Sequence, residues 1–455
     1  MSIAVQHKVV GPAPPERTVA AVRSERKILK ILFVIGLLAL SFLLGAAVMY
    51  FKWPSSGLLA DWFWSAENWQ RLFKNSTGPA KVSQVTFTPN VDRSGAFDGY
   101  TLVSVAPGDK AYLINMRGDI VHTWTASFNA IWEHDNHPQL DRGLKDNVVC
   151  LFDLHMYPNG DLLVVFHCAG GNTEGCGLAR IDKDSNVRWK YDRSVHHDVD
   201  VDDDGKIFLT SQEQLKESIE GLESIPKGAL IDFIEVLPAD GPQRGKPLKR
   251  ISVIEALRDT ELFPVIKKNA QPHGGDSRAR GDVLHTNHVQ VLRPEMAKHF
   301  AIPGWKPGQV MVSMRNLNAL ALIDLDTGKA VWTATGPWRA QHDPEFLDNG
   351  HLLIFDNMGS EDSSRVWEFD PKDESTPWVY PGESGIKFHC HERGMSQRLP
   401  NGNTFVCDTV EHELFEVTPD CKRVWVCPTK MHTHFARRYA PDEIHFLSSD
   451  VKPRP

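Results

Sequence analysis

The histidines of this chain are spaced in a register. His197 lies eight residues before Gly205 in HHDVDVDDDG, and His342 lies eight before Gly350 in HDPEFLDNG. His285 opens HTNHVQVL and takes the same place ahead of its own strand. Arg315, in SMRN, falls between the last two. Three imidazoles and a guanidinium meeting at one place would favour an anion. Arginine matches sulfate or phosphate oxygens with paired donors, and an imidazole serves as nucleophile or proton carrier. A plainer reading competes, in which each histidine caps a strand end or bonds a nearby aspartate. Asp198 and Asp343 directly follow two of them. For any one histidine the plainer reading is the better one; for a register-matched set the chemical reading is. His196, Asn287 and His288 flank the set and are weaker candidates for substrate contact. His389 and His391, in KFHCHERG, could line the same mouth or belong to a polar loop between repeats. No short-spaced histidine pairs share a face, so no catalytic metal is expected.

Equivalent positions converge only if a repeat places them. Each unit has an [ND]-G turn, an apolar strand, a second strand with its own turn, and a Trp-bearing strand. The copies are GYTLVSVAPGDKAYLINMRGDIVHTWTA from Gly99; YPNGDLLVVFH with GLARIDKDSNVRWKYD around Gly160; and VDDDGKIFLTS around Gly205, followed by a degenerate IDFIEVL. They continue with GQVMVSMRNLNALALIDLDTGKAVWTATG from Gly308, FLDNGHLLIFDN with SRVWEFDP around Gly350, and LPNGNTFVCDTVEHELFEVTPDCKRVWVC around Gly402. N-G and D-G turns between short alternating apolar runs are hairpin signals, and four strands per repeat describe a propeller blade. The fold class expected is all-β, a six-bladed β-propeller over residues 85–440 with a tail at 441–455. Insertions at 125–150 and 211–283 account for the surplus length. Successive blades aim equivalent positions at the propeller axis.

The 455 residues carry 50 Lys+Arg against 58 Asp+Glu, a net charge of −8 that gives nucleic acid no basic face to bind. Ile31 to Phe51 runs without a charge, long enough to span the bilayer core as a helix. Lys8, Arg17, Arg23, Arg26, Lys27 and Lys30 precede it, and Lys52 is the only basic residue after it before Arg71. Positive residues stay inside. The sequence therefore predicts a cytoplasmic tail at 1–27, a transmembrane helix at 28–52, a juxtamembrane linker or amphipathic helix at 53–84, and a propeller on the periplasmic or extracytoplasmic side. Such a compartment permits disulfides. Cys168 and Cys176 would close the loop CAGGNTEGC, and Cys421–Cys427 is a second candidate pair among the seven cysteines.

The motif string resembles the arylsulfate sulfotransferase (bacterial arylsulfotransferase) family. The matching pieces are HHDVDVDDDG, LHTNHV, VSMRNLNALALIDLDTGKAVW, QHDPEFLDNGHLLIFDN, SRVWEFDP and GMSQRLPNGNTFV with LFEV and W, covering roughly 95–440. The resemblance implies a six-bladed propeller that moves a sulfuryl group from an aryl sulfate donor to a phenolic acceptor through a covalent sulfo-histidine, without cofactor. By motif, His342 matches the nucleophile, and His197, His285 and Arg315 match residues that hold the sulfuryl oxygens and assist proton transfer. One departure is His288, where the family usually has a small hydroxyl residue after the asparagine. The absence of a GxxxxGK[ST] loop agrees with a nucleotide-free donor. A non-catalytic propeller serving a membrane complex or homo-oligomer is the competing class, since fold does not decide function. A quinone-dependent dehydrogenase would carry eight blades against the six counted.

Overall fold

The computed structural model describes residues 85–92, 95–106, 108–132, 149–168, 175–243, 246–269, 281–359, 363–383, 385–429 and 431–447. The tail, span and linker expected over 1–84 lie outside the described residues. Among those described, no helix is long and apolar enough to cross a membrane.

Each [ND]-G signal becomes a tight turn. Gly160, Gly205, Gly350 and Gly402 all have φ between 78° and 85°, a region that costs a residue with a Cβ and not glycine. Between the turns, β-branched and aromatic runs pair antiparallel into six sheets, five of four strands and one of five. Blade 2 comprises Val149–Met156, Leu162–Cys168, Gly175–Ile181 and Val187–Tyr191, and blades 3 to 6 repeat the order from Val195–Val201, Thr286–Val291, His342–Phe346 and Met395–Arg398. The insertion expected over 211–283 is partly blade: Leu230–Leu237 and Lys249–Ser252 are the third and fourth strands of blade 3. Short helices at Val253–Ala256 and Leu262–Asn269 follow.

The ring closes by a long-range exchange. Blade 1 supplies Tyr100–Ala106, Lys110–Asn115 and Ile120–Thr125, and takes its innermost strand from His432–Tyr439 near the other end of the chain. Asn90–Val91 in turn adds a fifth, outer strand to blade 6. The C-terminal segment does not stop at 440. His445 N–H donates to Pro158 O at 2.9 Å, and Ile444 and Phe446 pack into the core between blades 1 and 2.

Two kinds of bolt hold neighbouring blades. Outside, the Trp of the outer strand donates its indole N–H to a carbonyl at the next blade's turn: Trp124 to Gly160 at 2.9 Å, Trp378 to Pro419 at 2.8 Å, Trp425 to Met116 at 3.1 Å. Inside, an acidic or amide side chain on one innermost strand accepts a backbone N–H of the next. Asp153 takes Val199 at 2.8 Å, Asp198 takes Val289 at 3.0 Å, Asp200 takes Val291 at 2.9 Å and Gln290 takes Phe346 at 2.8 Å. Asp343 takes Ser396 at 2.9 Å, Glu345 takes Arg398 at 2.9 Å and Gln397 takes Arg438 at 2.8 Å. A bond of this type to a charged acceptor stabilises by roughly 1.5–3 kcal/mol. The series fixes all innermost strands in one register, with their starts at one end of the central channel.

Candidate active site

At that end the backbone is irregular in every blade. The innermost strands of blades 1 to 5 carry β-bulges, at His434, at Phe152, at His197–Asp198, at Asn287 and at Asp343–Pro344. Blade 6 has no bulge, but Arg393, just before its first strand, has φ 60°. His197 and His285 also sit at positive φ, 60° and 52°. Bulges re-aim side chains and cluster beside functional sites. Here they turn successive side chains toward the axis.

The structure brings the four principal residues together. The His197 and His285 rings meet edge to face with centroids 4.8 Å apart. Arg315 N–H donates to His285 O at 3.2 Å, which seats the arginine on the blade 4 histidine. Burial first, and then the Arg315 charge with His285 behind it, push the His342 imidazole down to about 3. His197 is pushed down as well, by burial and then by His285, His196 and His342. Both rings are therefore neutral near pH 7.

The aspartates of the plainer reading are engaged elsewhere. Asp198 and Asp343 bolt blades, and between them lies His288, whose Nδ1 is 2.6 Å from Asp198 and 3.7 Å from Asp343. Neither His288 nitrogen has a well-aligned hydrogen bond, so the contact is ionic. Burial opposes the His288 charge, but Asp198 and Asp343 outweigh it and raise its pKa. Burial likewise opposes the Asp198 charge, yet His288 pulls it down to about 2. Burial and the neighbouring Asp198 raise Asp153. Expected as a substrate contact, His288 instead forms a charged floor beneath the site.

What orients His342 is an asparagine. His342 Nδ1 lies 2.7 Å from Asn357 Oδ1 and 3.0 Å from Ala340 O. Asn357 Nδ2 donates to two carbonyls, Cys390 at 2.7 Å and Arg393 at 2.6 Å, which fixes the amide orientation. Nδ1 therefore faces only acceptors and carries the proton. The Nε2 lone pair is left free, with no hydrogen-bond partner among the described residues. His285 is held differently, with Nδ1 2.5 Å from Asp282 Oδ2. A carboxylate behind an imidazole fixes its orientation and stabilises the imidazolium when it forms. His196 lies behind His197, Nδ1 to Nδ1 at 2.6 Å, and is completely buried. It is not positioned to touch a substrate. Asn287 donates to Gln341 O at 2.8 Å, beside His342.

Other expectations fare differently. His389 and His391 are exposed on a loop, and no contact joins them to the His342 set. Cys168 and Cys176 form the disulfide, with Cα atoms 5.8 Å apart. Cys421 and Cys427 are free, in different cores between blades. The residues that sequence reasoning did not single out are Asn357, Asp282, Phe152, Arg393, His432 and His434. Phe152 lies 5.0 Å from His197 and 5.9 Å from His434, centroid to centroid, and the Arg393 guanidinium carbon stands 4.7 Å over its ring. Phe152 lies eight residues before Gly160, so the register of His197 and His342 already pointed to it.

Comparison with solved structures finds matches at low identity. A protein of unknown function from Bacteroides caccae is 12% identical, with 72% of this chain and 93% of that chain covered and a TM-score of 0.46. A streptogramin B lyase is 11% identical, with 78% and 98% covered and a TM-score of 0.40. The WD40 propeller domain of Doa1 is 12% identical, with 75% and 76% covered and a TM-score of 0.38. No curated protein matches the chain. The arylsulfotransferase (ASST) family model matches residues 154–430, more than half of the chain and all of the span from blade 2 to blade 6 that holds His197, His285, Arg315, Asn357 and His342, so the chain belongs to that family.

Proposed function

We propose that this chain is a membrane-anchored, nucleotide-independent aryl sulfotransferase that carries the sulfuryl group on His342 Nε2. The observation that carries the reading is the fixed Nδ1–H tautomer of a neutral His342 beside Arg315. In the first half-reaction Nε2 attacks the sulfur of an aryl sulfate. The N–S bond forms, the S–O bond to the aryl group breaks, and the phenolate leaves with the bonding pair. The sulfated ring is then cationic, and the Nδ1–H bond to Asn357 disperses its charge. Arg315 and the donors around it meet the sulfuryl oxygens, a contribution of roughly 10²–10³ in rate for a single well-placed donor. His285, entering the step as an imidazolium with Asp282 behind it, gives its Nε2 proton to the departing phenolate. It takes one from the incoming phenol, whose oxygen attacks sulfur as the N–S pair returns to Nε2. The cycle is ping-pong.

The uncharged run at 31–51 and the basic residues before it support the anchor and the exported propeller. The test of activity is transfer by the purified full chain from a chromogenic aryl sulfate to phenol. Phenol-dependent release of the chromophore supports the reading. Absence of release across a panel of aryl sulfates contradicts it.

A further inference from the structure

Opposite His342, the same end of the channel holds a second cationic pole that the transfer chemistry does not use. Arg393 Nη1 contacts His432 Nε2 at 3.4 Å and both nitrogens of His434. Its planar face rests on Phe152. Among the described residues, its Nε and Nη2 have no hydrogen-bond partner and no carboxylate lies within ion-pair distance of it. Those two nitrogens are the fork that grips a carboxylate or sulfonate side-on.

The surroundings do not neutralise this charge. Burial and then the Arg393 charge push the His432 imidazole down to about 4. His167 behind Phe152 is pushed down to about 3, by burial and then by Arg393. The His432 and His167 imidazoles are thus neutral and do not serve as counter-ions. A carboxylate acting on His432 is Glu392, which is exposed. Arg393 also sits at φ 60°, directly before Gly394 at φ 88°. Strain of that kind at a non-glycine residue costs of order 1–3 kcal/mol and is retained where position matters. Its carbonyl accepts from Asn357, the same amide that orients His342. A single side chain therefore ties the position of this pole to the proposed nucleophile.

We infer that Arg393, supported on Phe152 and flanked by His432 and His434, is a subsite for a second anionic group, a carboxylate or sulfonate, on the phenolic acceptor. The inference rests on the proposed sulfuryl transfer for its acceptor, and adds that the acceptor is an anionic phenol. Phe152 touches both poles, with the His197 ring 5.0 Å and the Arg393 guanidinium carbon 4.7 Å from its centroid.

The test compares 4-hydroxyphenylacetate with 4-hydroxyphenylacetamide, binding to the full chain by calorimetry in sulfate-free buffer. Inorganic sulfate and acetate are titrated alongside. Tighter binding of the acid by about tenfold, the 1.4 kcal/mol of one good charged contact, is the expected result. The ratio of the two affinities should fall toward one in Arg393→Gln and recover in part in Arg393→Lys, with both variants checked for an unchanged melting transition. Equal affinity for acid and amide in the native chain overturns the inference without recourse to any variant. So does binding of sulfate or acetate as tight as that of the acid, which would make this a site for free anions. Binding does not require turnover, so an inactive chain that prefers the acid would contradict the sulfotransfer reading while leaving the subsite in place.

Discussion

The two ends of the central channel are built from the same six strands and treat charge in opposite ways. Further along the innermost strands, past the bulges, opposite charges find each other: Arg293 lies 2.7 Å from Asp200, and Arg437 lies 3.8 Å from Glu345. Arg398 lies 2.7 Å from Glu368 of the neighbouring blade. At the bulged end Arg315 and Arg393 have no carboxylate within ion-pair distance among the described residues, and the His342, His197 and His432 imidazoles are neutral. One end is internally neutralised and holds the ring together. The other keeps guanidinium charge in reserve, which is what an anionic donor and a transferring sulfuryl group need. The charged floor of Asp198, His288 and Asp343 lies between the two.

Substitutions can break this contrast. His342→Ala removes the proposed covalent carrier, and turnover should fall by roughly 10⁴-fold or more, as for other residues that form the intermediate. Steady-state chromophore release measures it, and an active alanine variant would break the assignment. Asp282→Asn keeps the shape of the support behind His285 but removes its charge. A loss of about 10²-fold or more in kcat is expected, by analogy with the carboxylate behind a catalytic imidazole. The loss should be smaller for donors with better leaving groups, which need less protonation.

Arg315→Gln sharpens the electrostatic side. With Arg315 present, His342 is held at about 3, so lowering the pH from 8 to 5 does not protonate the nucleophile. Without it the His342 pKa moves up toward the ordinary imidazole value of about 6.5, though burial still holds it below. The proton then blocks Nε2, and the kcat/KM profile should gain or raise an acid limb. A profile shifted in the other direction contradicts the assigned field. The smallest effect is at the opposite end. Arg437 is about half exposed, with a side-chain accessibility of 48%, so its attraction to Glu345 is screened. Arg437→Gln should cost about 1 kcal/mol, roughly one to two degrees in melting temperature for a domain of this size. Turnover should be unchanged.

Much of this was legible in the sequence for a physical reason. The [ND]-G turns are local, and a histidine eight residues before such a turn must start an innermost strand. That logic placed His197 and His342, and applied to Gly160 it also reaches Phe152. It fails at blade 6, where the equivalent position is Gly394 and the functional side chain, Arg393, sits one residue earlier on a strained turn. His432 and His434 were hidden because HTHFARRY pairs with Tyr100–Ala106 at the far end of the chain, which no local period reveals. Asp198 and Asp343 misled in the other direction. Proximity suggested bonding to the preceding ring, while the bulge turns the aspartates toward the next blade's backbone and toward His288. Asn357 closes the motif QHDPEFLDNGHLLIFDN, but its role was not legible there, since it orients His342 only after the second strand of blade 5 folds back alongside.

The central claim is that His342 Nε2 carries the sulfuryl group. The direct measurement is mass spectrometry of the full chain, quenched after exposure to an aryl sulfate without acceptor and digested under conditions that preserve N–S bonds. The account expects the mass of one SO3 group on the peptide containing His342, discharged when phenol is added and missing in His342→Gln. A labelled peptide that instead carries His197 or His285, or turnover with no label on any histidine, would contradict it.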